Sequence, residues 1–433
     1  MIEEETGSME NHDNSSTTAL IVGKGGYAVN YGHIVVKDPK GNGGFRYSYT
    51  NVPNNPGVWV HNVCLTAMAA LEPDPERPDE MKTASNATLI NRGTIDIHFD
   101  EVYRYYMELK QKTDTPDDFR FDTVRCFAML AGDKSMIVNE GTINVYMDQD
   151  IEAIVSLYAC ALWGDGGSLM INRGDINFIG NGSYQSFVRG IGSMANELQA
   201  INDGTVTVKL DRAYQTRILH TAGVGGTLLN RGRITIETCG RIMVLGSLMG
   251  TRMENDGEID VISHSTFIKN IVPYHYQFDP LATAFYEHFL PNETATAPMV
   301  NRGKVRIHLD GSEKSGENAV AFGFYLMQIS PGKTDSPVHA LYNEGTIEVT
   351  QSGPKHYLTA EVGVNIQAPG DNEFNVKIGS WNTSKRDFAE TKDLFVCRSA
   401  SFDLSGLGND IDKNSCVYQI PESKEAGEKV IVK

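Results

Sequence analysis

Asn91-Arg-Gly-Thr-Ile95, Asn139-Glu-Gly-Thr-Ile143 and Asn172-Arg-Gly-Asp-Ile176 repeat one pattern: Asn, any residue, Gly, any residue, then Ile or Val. The pattern recurs at Asn30, Asn202, Asn230, Asn255, Asn301 and Asn343, nine times in all. Successive Asn residues lie 61, 48, 33, 30, 28, 25, 46 and 42 positions apart. Self-similarity at such a period marks a stacked-repeat architecture. The intervals of 25 to 33 residues read as one coil each, and the longer ones as a coil plus an insertion.

The unit has a readable physics. Asn and Gly tolerate positive φ, so Asn-x-Gly is expected to form a sharp corner. Apolar residues at spacing two follow it, as in Ile95 and Ile97, Ile143 and Val145, Ile234 and Ile236, which predicts a half-buried strand. A second strand is expected in most coils, for example over 154–162 and 242–246. No coil can bury its own apolar face, so the coils must stack. The expected fold is all-β: a parallel, right-handed β-solenoid (β-helix) with extruded loops, rising about 4.8 Å per coil.

The residue between Asn and Gly is charged in eight successive repeats, and its sign alternates: Arg92, Glu140, Arg173, Asp203, Arg231, Asp256, Arg302, Glu344. Stacked on adjacent coils these side chains would form a ladder of opposite charges, and a one-coil slip would oppose like charges. The ladder therefore also predicts register, with Asn255, Asn301 and Asn343 on successive coils.

Composition limits the alternatives. The 433 residues carry a formal charge of −17 with no basic block, which argues against nucleic acid as a partner. At 40% hydrophobic the chain can build a core, which excludes wholesale disorder. No run of eighteen apolar residues occurs, so no membrane-spanning helix is expected, and the acidic first ten residues do not read as a signal peptide. The organisation expected is a flexible acidic segment over 1–20, a solenoid over 21–395, and a cap with a charged tail over 396–433. Insertions are expected at about 38–56, 72–85, 101–122, 273–298 and 330–337; the third includes a short helical stretch over 102–109. Six cysteines are too few for a disulfide scaffold. Cys397 and Cys416 are a candidate local bridge, and Cys126 and Cys160 are expected to stack inside on adjacent coils.

The nine-fold Asn-x-Gly-x-Ile pattern, over roughly residues 28–349, resembles the passenger domains of Gram-negative type V autotransporters, the right-handed β-helix adhesins and toxins. The resemblance implies a non-catalytic adhesin, secreted or displayed on a bacterial cell surface. Its partners would be a host-cell surface protein or glycan, or neighbouring bacterial cells through self-association. It also implies a separate outer-membrane barrel, whose strand pattern this chain lacks. Six cysteines are more than such passengers usually carry.

β-Solenoids also carry polysaccharide lyases, hydrolases and phage tailspikes, which need clustered carboxylates on an outer face. The outward rows Thr94, Thr142, Asp175, Thr205, Arg233, Glu258, Lys304, Thr346 and Asp96, Asn144, Asn177, Thr207, Thr235, Asp260, Arg306, Glu348 place no two acids together. No serine-protease motif, HExxH, P-loop or Gly-x-Ser-x-Gly elbow is present. A polysaccharide-degrading enzyme is thus the second reading, with no catalytic residue assigned. No cofactor and no metal site are expected. The recognition candidates are Tyr274, His275, Tyr276, Phe278, Tyr286 and His288 in the 273–298 insertion, and Tyr103, Tyr105 and Tyr106 in the 101–122 insertion. Such amphipathic side chains suit glycan or protein contacts, although packing of the loop on the solenoid would use the same residues. Arg173-Gly174-Asp175 spells an integrin-binding tripeptide, but each residue holds an ordinary repeat position.

Overall fold

In a computed structural model the strands run parallel in three sheets, one strand of each sheet per coil, and no helix occurs among the described residues. The structure describes residues 14–37, 62–98, 123–148, 156–183, 186–193, 195–221, 223–247, 250–264, 281–289, 298–311, 320–328, 339–352 and 358–366. Beyond these it describes the short strands 373–378, 381–382, 387–388, 394–398, 416–419 and 430–431. This is the parallel β-helix expected from the repeat. The expected insertions at 38–56 and 330–337, and the helical stretch at 102–109, lie outside the described residues.

Two compact units divide the chain: Met1–Ser193 with Gly204–Tyr214, and Met194–Asp203 with Gln215–Lys433. In the first, Asn62–Asp74, Thr123–Ala131 and Ser156–Gly164 belong to the first sheet, Thr88–Asn91, Met136–Asn139 and Leu169–Asn172 to the second, and Thr94–His98, Thr142–Tyr146 and Asp175–Gly182 to the third. In the second, Arg241–Ser247, Arg252–Asn255 and Glu258–Ser263 make one such coil. The sequence shows two strands per coil because those of the second sheet are four residues long, too short for an alternation to register. Ile95, Ile97, Ile143, Val145, Ile234 and Ile236 point inward and are fully buried.

The roles of the repeat's Asn and Gly differ from the expected corner. Neither is among the described residues with positive φ. The left-handed residues fall five positions earlier, at Gly25, Asn86, Lys134, Gly167, Glu197, Gly225 and Gly250, and turn the chain from the first sheet into the second. Four of the seven are Gly, which has no Cβ to clash there. The other three hide the corner from a sequence search.

The repeat's Asn side chains instead point into the core and bond to one another. In the first unit Asn30 Nδ2 donates to Asn91 Oδ1, Asn91 to Asn139 and Asn139 to Asn172, each at 2.8 Å. In the second, Asn202 donates to Asn230, Asn230 to Asn255, Asn255 to Asn301 and Asn301 to Asn343, at 2.7 to 2.8 Å. From Asn91 to Asn301 these residues are fully buried. Each remaining amide hydrogen also has a partner, as where Asn139 Nδ2 meets the carbonyls of Gly141 and Asp175 at 3.2 Å.

The Gly column has a different cause. A Cβ on Gly93 would lie 1.9 Å from the carbonyl oxygen of Gly32, on Gly141 2.0 Å from that of Gly93, and on Gly303 2.0 Å from that of Gly257. Any side chain at this position would drive the coils apart. The close approach is held by backbone bonds such as Thr142 N to Gly93 O at 2.9 Å.

Several boundaries differ from the sequence reading. Asn14–Val22 is a strand paired in parallel with Asn62–Asp74, so the segment expected to be flexible to residue 20 joins the first sheet from Asn14. Its Ser-Thr-Thr and Leu-Ile-Val residues suit a strand. The 72–85 insertion is not a loop: Arg77–Thr83 folds back antiparallel on Asn62–Asp74, with an irregularity at Pro73/Asp74, where proline has no N–H to pair. Leu71 and Met81 of this hairpin pack with Phe127, Leu130, Cys160 and Trp163 of the first sheet. The second half of the 273–298 insertion, Leu281–Phe289, is a regular strand paired with Val320–Gln328. At the C-terminal end Leu394–Arg398 and Cys416–Gln419 pair antiparallel with the last parallel strands, so no further coil stacks on those edges. The side chains of Cys397 and Cys416 lie outside the described residues.

Two substitutions separate these roles. Asn139→Ala orphans a donor on Asn91 and an acceptor on Asn172, and is expected to cost about 2–3 kcal/mol by urea unfolding, against about 1 kcal/mol for Asn30→Ala at the chain's start. Gly141→Ala is expected to cost at least about 2 kcal/mol. Gly167→Asn, at a corner where other coils hold Asn, Lys or Glu, should stay within about 1 kcal/mol; equal losses at Gly141 and Gly167 would overturn the close-approach account.

Candidate functional site

The repeat leaves three outward surfaces: the corner carrying the charged residues, the third sheet, and the first sheet. At the corner of the first unit Glu140 is bonded by Arg92 Nε at 2.8 Å and by Arg173 Nη1 at 3.1 Å. These hydrogen bonds, that of Arg92 first, hold the Glu140 carboxyl below its ordinary range. In the second unit Arg231 grips Asp203 with two bonds of 2.6 and 2.8 Å, and Arg302 bonds Asp256 at 2.7 Å and also the buried Glu254. Glu344 is placed on the next coil by its backbone N–H to Asn301 O, 2.8 Å. Arg92, Arg173 and Arg231 are half exposed, so each pair contributes little energy singly, and the Asn and Gly columns fix the register. Arg173, Gly174 and Asp175 serve three structural positions: the charged corner, the close approach to Gly141, and the start of a third-sheet strand.

The third sheet differs between the units. In the first, Thr94, Thr142, Asp175 and Thr205 align in one row and Asp96, Asn144, Asn177 and Thr207 in the next. Asn177 Nδ2 donates to Asn144 Oδ1 at 2.9 Å, Asn144 Nδ2 to Asp96 Oδ1 at 2.8 Å, and His33 Nε2 lies 2.7 Å from Asp96 Oδ2. In a third row Tyr146 stacks on His98 at 4.8 Å. Burial, and then the charge of Asp96, push the Tyr146 phenol up, so it remains a neutral hydroxyl. In the second unit the same rows are filled by ion pairs. Asp260 meets Arg306 Nη2 at 2.7 Å and Arg233 Nη2 at 3.3 Å, and the Arg306 hydrogen bonds hold its carboxyl below the usual range.

The first sheet presents a cationic and aromatic outward row that sequence reasoning missed. Arg125 lies over Tyr158 (5.7 Å), Tyr158 stacks on Phe187 (4.4 Å), and Arg189 lies over Phe187 (5.7 Å). The signal was register: counting back from each Asn puts Arg125 and Tyr158 at 14 residues but ignores a shift of coil length. The same shift corrects the cysteines. Cys126 pairs with Ala159 and Cys160 with Phe127, so the two do not stack. Cys126 is fully buried, whereas Cys160 belongs to the cluster under the hairpin. At the hairpin's base Thr83 Oγ1 donates to Asp165 Oδ2 at 2.9 Å. Burial, reinforced by nearby Asp133, raises the Asp165 carboxyl above its ordinary range against that hydrogen bond.

Of the aromatic recognition candidates, Tyr274, His275, Tyr276, Phe278, Tyr103, Tyr105 and Tyr106 lie outside the described residues. Tyr286 is a correction: it sits in the strand Leu281–Phe289, buried, and stacks on Tyr325 at 5.9 Å rather than standing on an extruded loop. His288 follows on that strand, paired with Met327, and its side chain lies outside the described set. Among the described residues no group of three or more His, Cys, Asp or Glu is arranged to hold a metal ion.

With this geometry in view, one comparison is informative. Residues 79–203 match the family model of the BigA third pectate lyase-like domain. The match covers the hairpin's return strand and the coils of Asn91, Asn139 and Asn172, and ends just past Asn202. Its pectate lyase-like description agrees with the three-sheet stack. No curated protein and no solved structure matches the chain.

Asp165 yields a pH test. A carboxyl raised in the fold binds its proton more readily folded than unfolded, so its contribution to stability improves as pH falls through the range above the ordinary value and is unfavourable at neutrality. Asp165→Asn keeps an acceptor for Thr83 and is expected to raise Tm at pH 7, with the gain shrinking as pH approaches 4.

Proposed function

We propose that this chain is a β-helix passenger of a bacterial surface or secreted protein, acting as a non-catalytic adhesin. The observation that carries the reading is the state of the outward carboxylates. Glu140 and Asp260 are hydrogen-bonded by arginines and held ionised, which suits a fixed display surface and not a general acid that must keep a proton at neutral pH. A rigid stack presents many side chains in fixed rows, and weak contacts gain strength when many copies bind together. The similarity of residues 79–203 to a pectate lyase-like domain of BigA supports a β-helix of this general kind.

Asp165, with its raised carboxyl near Asp133 and Trp163, favours the second reading, a polysaccharide-degrading enzyme on the same scaffold. One experiment separates the two. Fluorescently labelled full chain is added to epithelial cells and to bacteria, and reducing-end release is assayed on a polysaccharide panel in parallel with Asp165→Asn. Saturable cell binding, unchanged by Asp165→Asn and without sugar release, is the expected outcome. Sugar release abolished by Asp165→Asn would replace the adhesin by the enzyme.

A further inference from the structure

The third-sheet face of the first unit combines three properties. First, the hydroxyls of Thr94, Thr142, Thr205 and Thr207 make no hydrogen bond with other described residues, although they stand on a half-exposed face in rows set by the coil repeat. Second, the amides of Asn144 and Asn177 are chained to Asp96 and so held in fixed orientation with hydrogen-bonding capacity left over. Third, the face carries little charge. Asp96 is engaged by His33 and Asn144, which leaves Asp175 as the carboxylate standing in these two rows. The corresponding rows of the second unit are occupied by Arg233, Asp260 and Arg306 bonded to one another.

We propose that this face of the first unit binds an uncharged, extended glycan running along the stack, with the threonine hydroxyls and Asn amides meeting successive sugars. Charge complementarity selects the ligand. Asp175, in a chain of net charge −17, repels uronate and sulfated glycans, and the rows hold no unpaired cation to attract them. A neutral polyhydroxylated chain supplies donors and acceptors at a repeat of one sugar per coil, about 4.8 Å. A protein partner is not selected, because the face lacks the aromatic or apolar anchor that dominates protein contacts; Ile179, 39% exposed, stands alone at its edge. This inference rests on the adhesive reading and names its ligand class.

The test uses the full chain with cellohexaose and mannohexaose as neutral probes and hexagalacturonate as the acidic one, by titration calorimetry. Binding of a neutral hexaose is expected, at least tenfold weaker in Thr142→Val/Thr205→Val, restored in Thr142→Ser/Thr205→Ser and unchanged in Lys304→Ala on the other unit. Matching thermal unfolding of the Val and Ser variants separates lost hydroxyls from a lost fold. Failure of both neutral probes, indifference to the Val pair, or equal binding of hexagalacturonate would each overturn the proposal. Cell binding that persists in the Val variant would keep the adhesin and discard this face as its glycan site. Hexaose binding without cell binding would keep the site and discard the adhesin.

Discussion

A side-chain amide sealed inside a protein has donors and acceptors to satisfy, and an identical amide one coil away satisfies both. The chains Asn30 to Asn172 and Asn202 to Asn343 rest on that reciprocity, with neighbours 2.7 to 2.8 Å apart. All donate in the same direction, so each bond polarises the next. The spacing leaves no room beside it for a Cβ, which is why Gly follows two residues later: on Gly141 a Cβ would meet the carbonyl of Gly93 at 2.0 Å. Corner, column and register follow from one requirement, that buried polar groups be paired.

This explains what the sequence revealed and what it hid. The stack was legible because its constraint is the same at every coil, so Asn and Gly recur whatever lies between them. Their chemistry was not, because Asn and Gly are also the residues of left-handed turns. The real left-handed corner accepts Lys134 and Glu197 as well as Gly and leaves no motif. Register failed where coils differ in length: Cys126 and Cys160 were one position out of step, enough to send their side chains to opposite faces of one sheet. Tyr286 was misread for a related reason. An aromatic strand inside a long interval looks like an insertion when no Asn-x-Gly flanks it on the near side.

The candidate site was legible only in part. Row composition on the third sheet could be listed from the repeat, and its meaning appeared when the partners were seen. The same two rows are an amide and hydroxyl surface around Asn144 and an ion-pair lattice around Asp260. One scaffold thus carries two chemically different faces by changing residues that touch nothing in the core. The first-sheet row of Arg125, Tyr158 and Phe187 was invisible to motif search because it is a cross-coil alignment of residues 29 to 33 positions apart.

The alternating corner also bears on how such a chain can lengthen. Arg92 and Arg173 both lean on Glu140 from opposite sides. Excising the single coil between them would leave the amide column intact, Asn91 meeting Asn172, yet bring two guanidinium groups face to face. Excising two neighbouring coils would preserve both the amide column and the order of signs. The amides count in ones and the charges count in pairs, so duplication or loss of repeats by twos is the change this architecture accommodates with least disturbance.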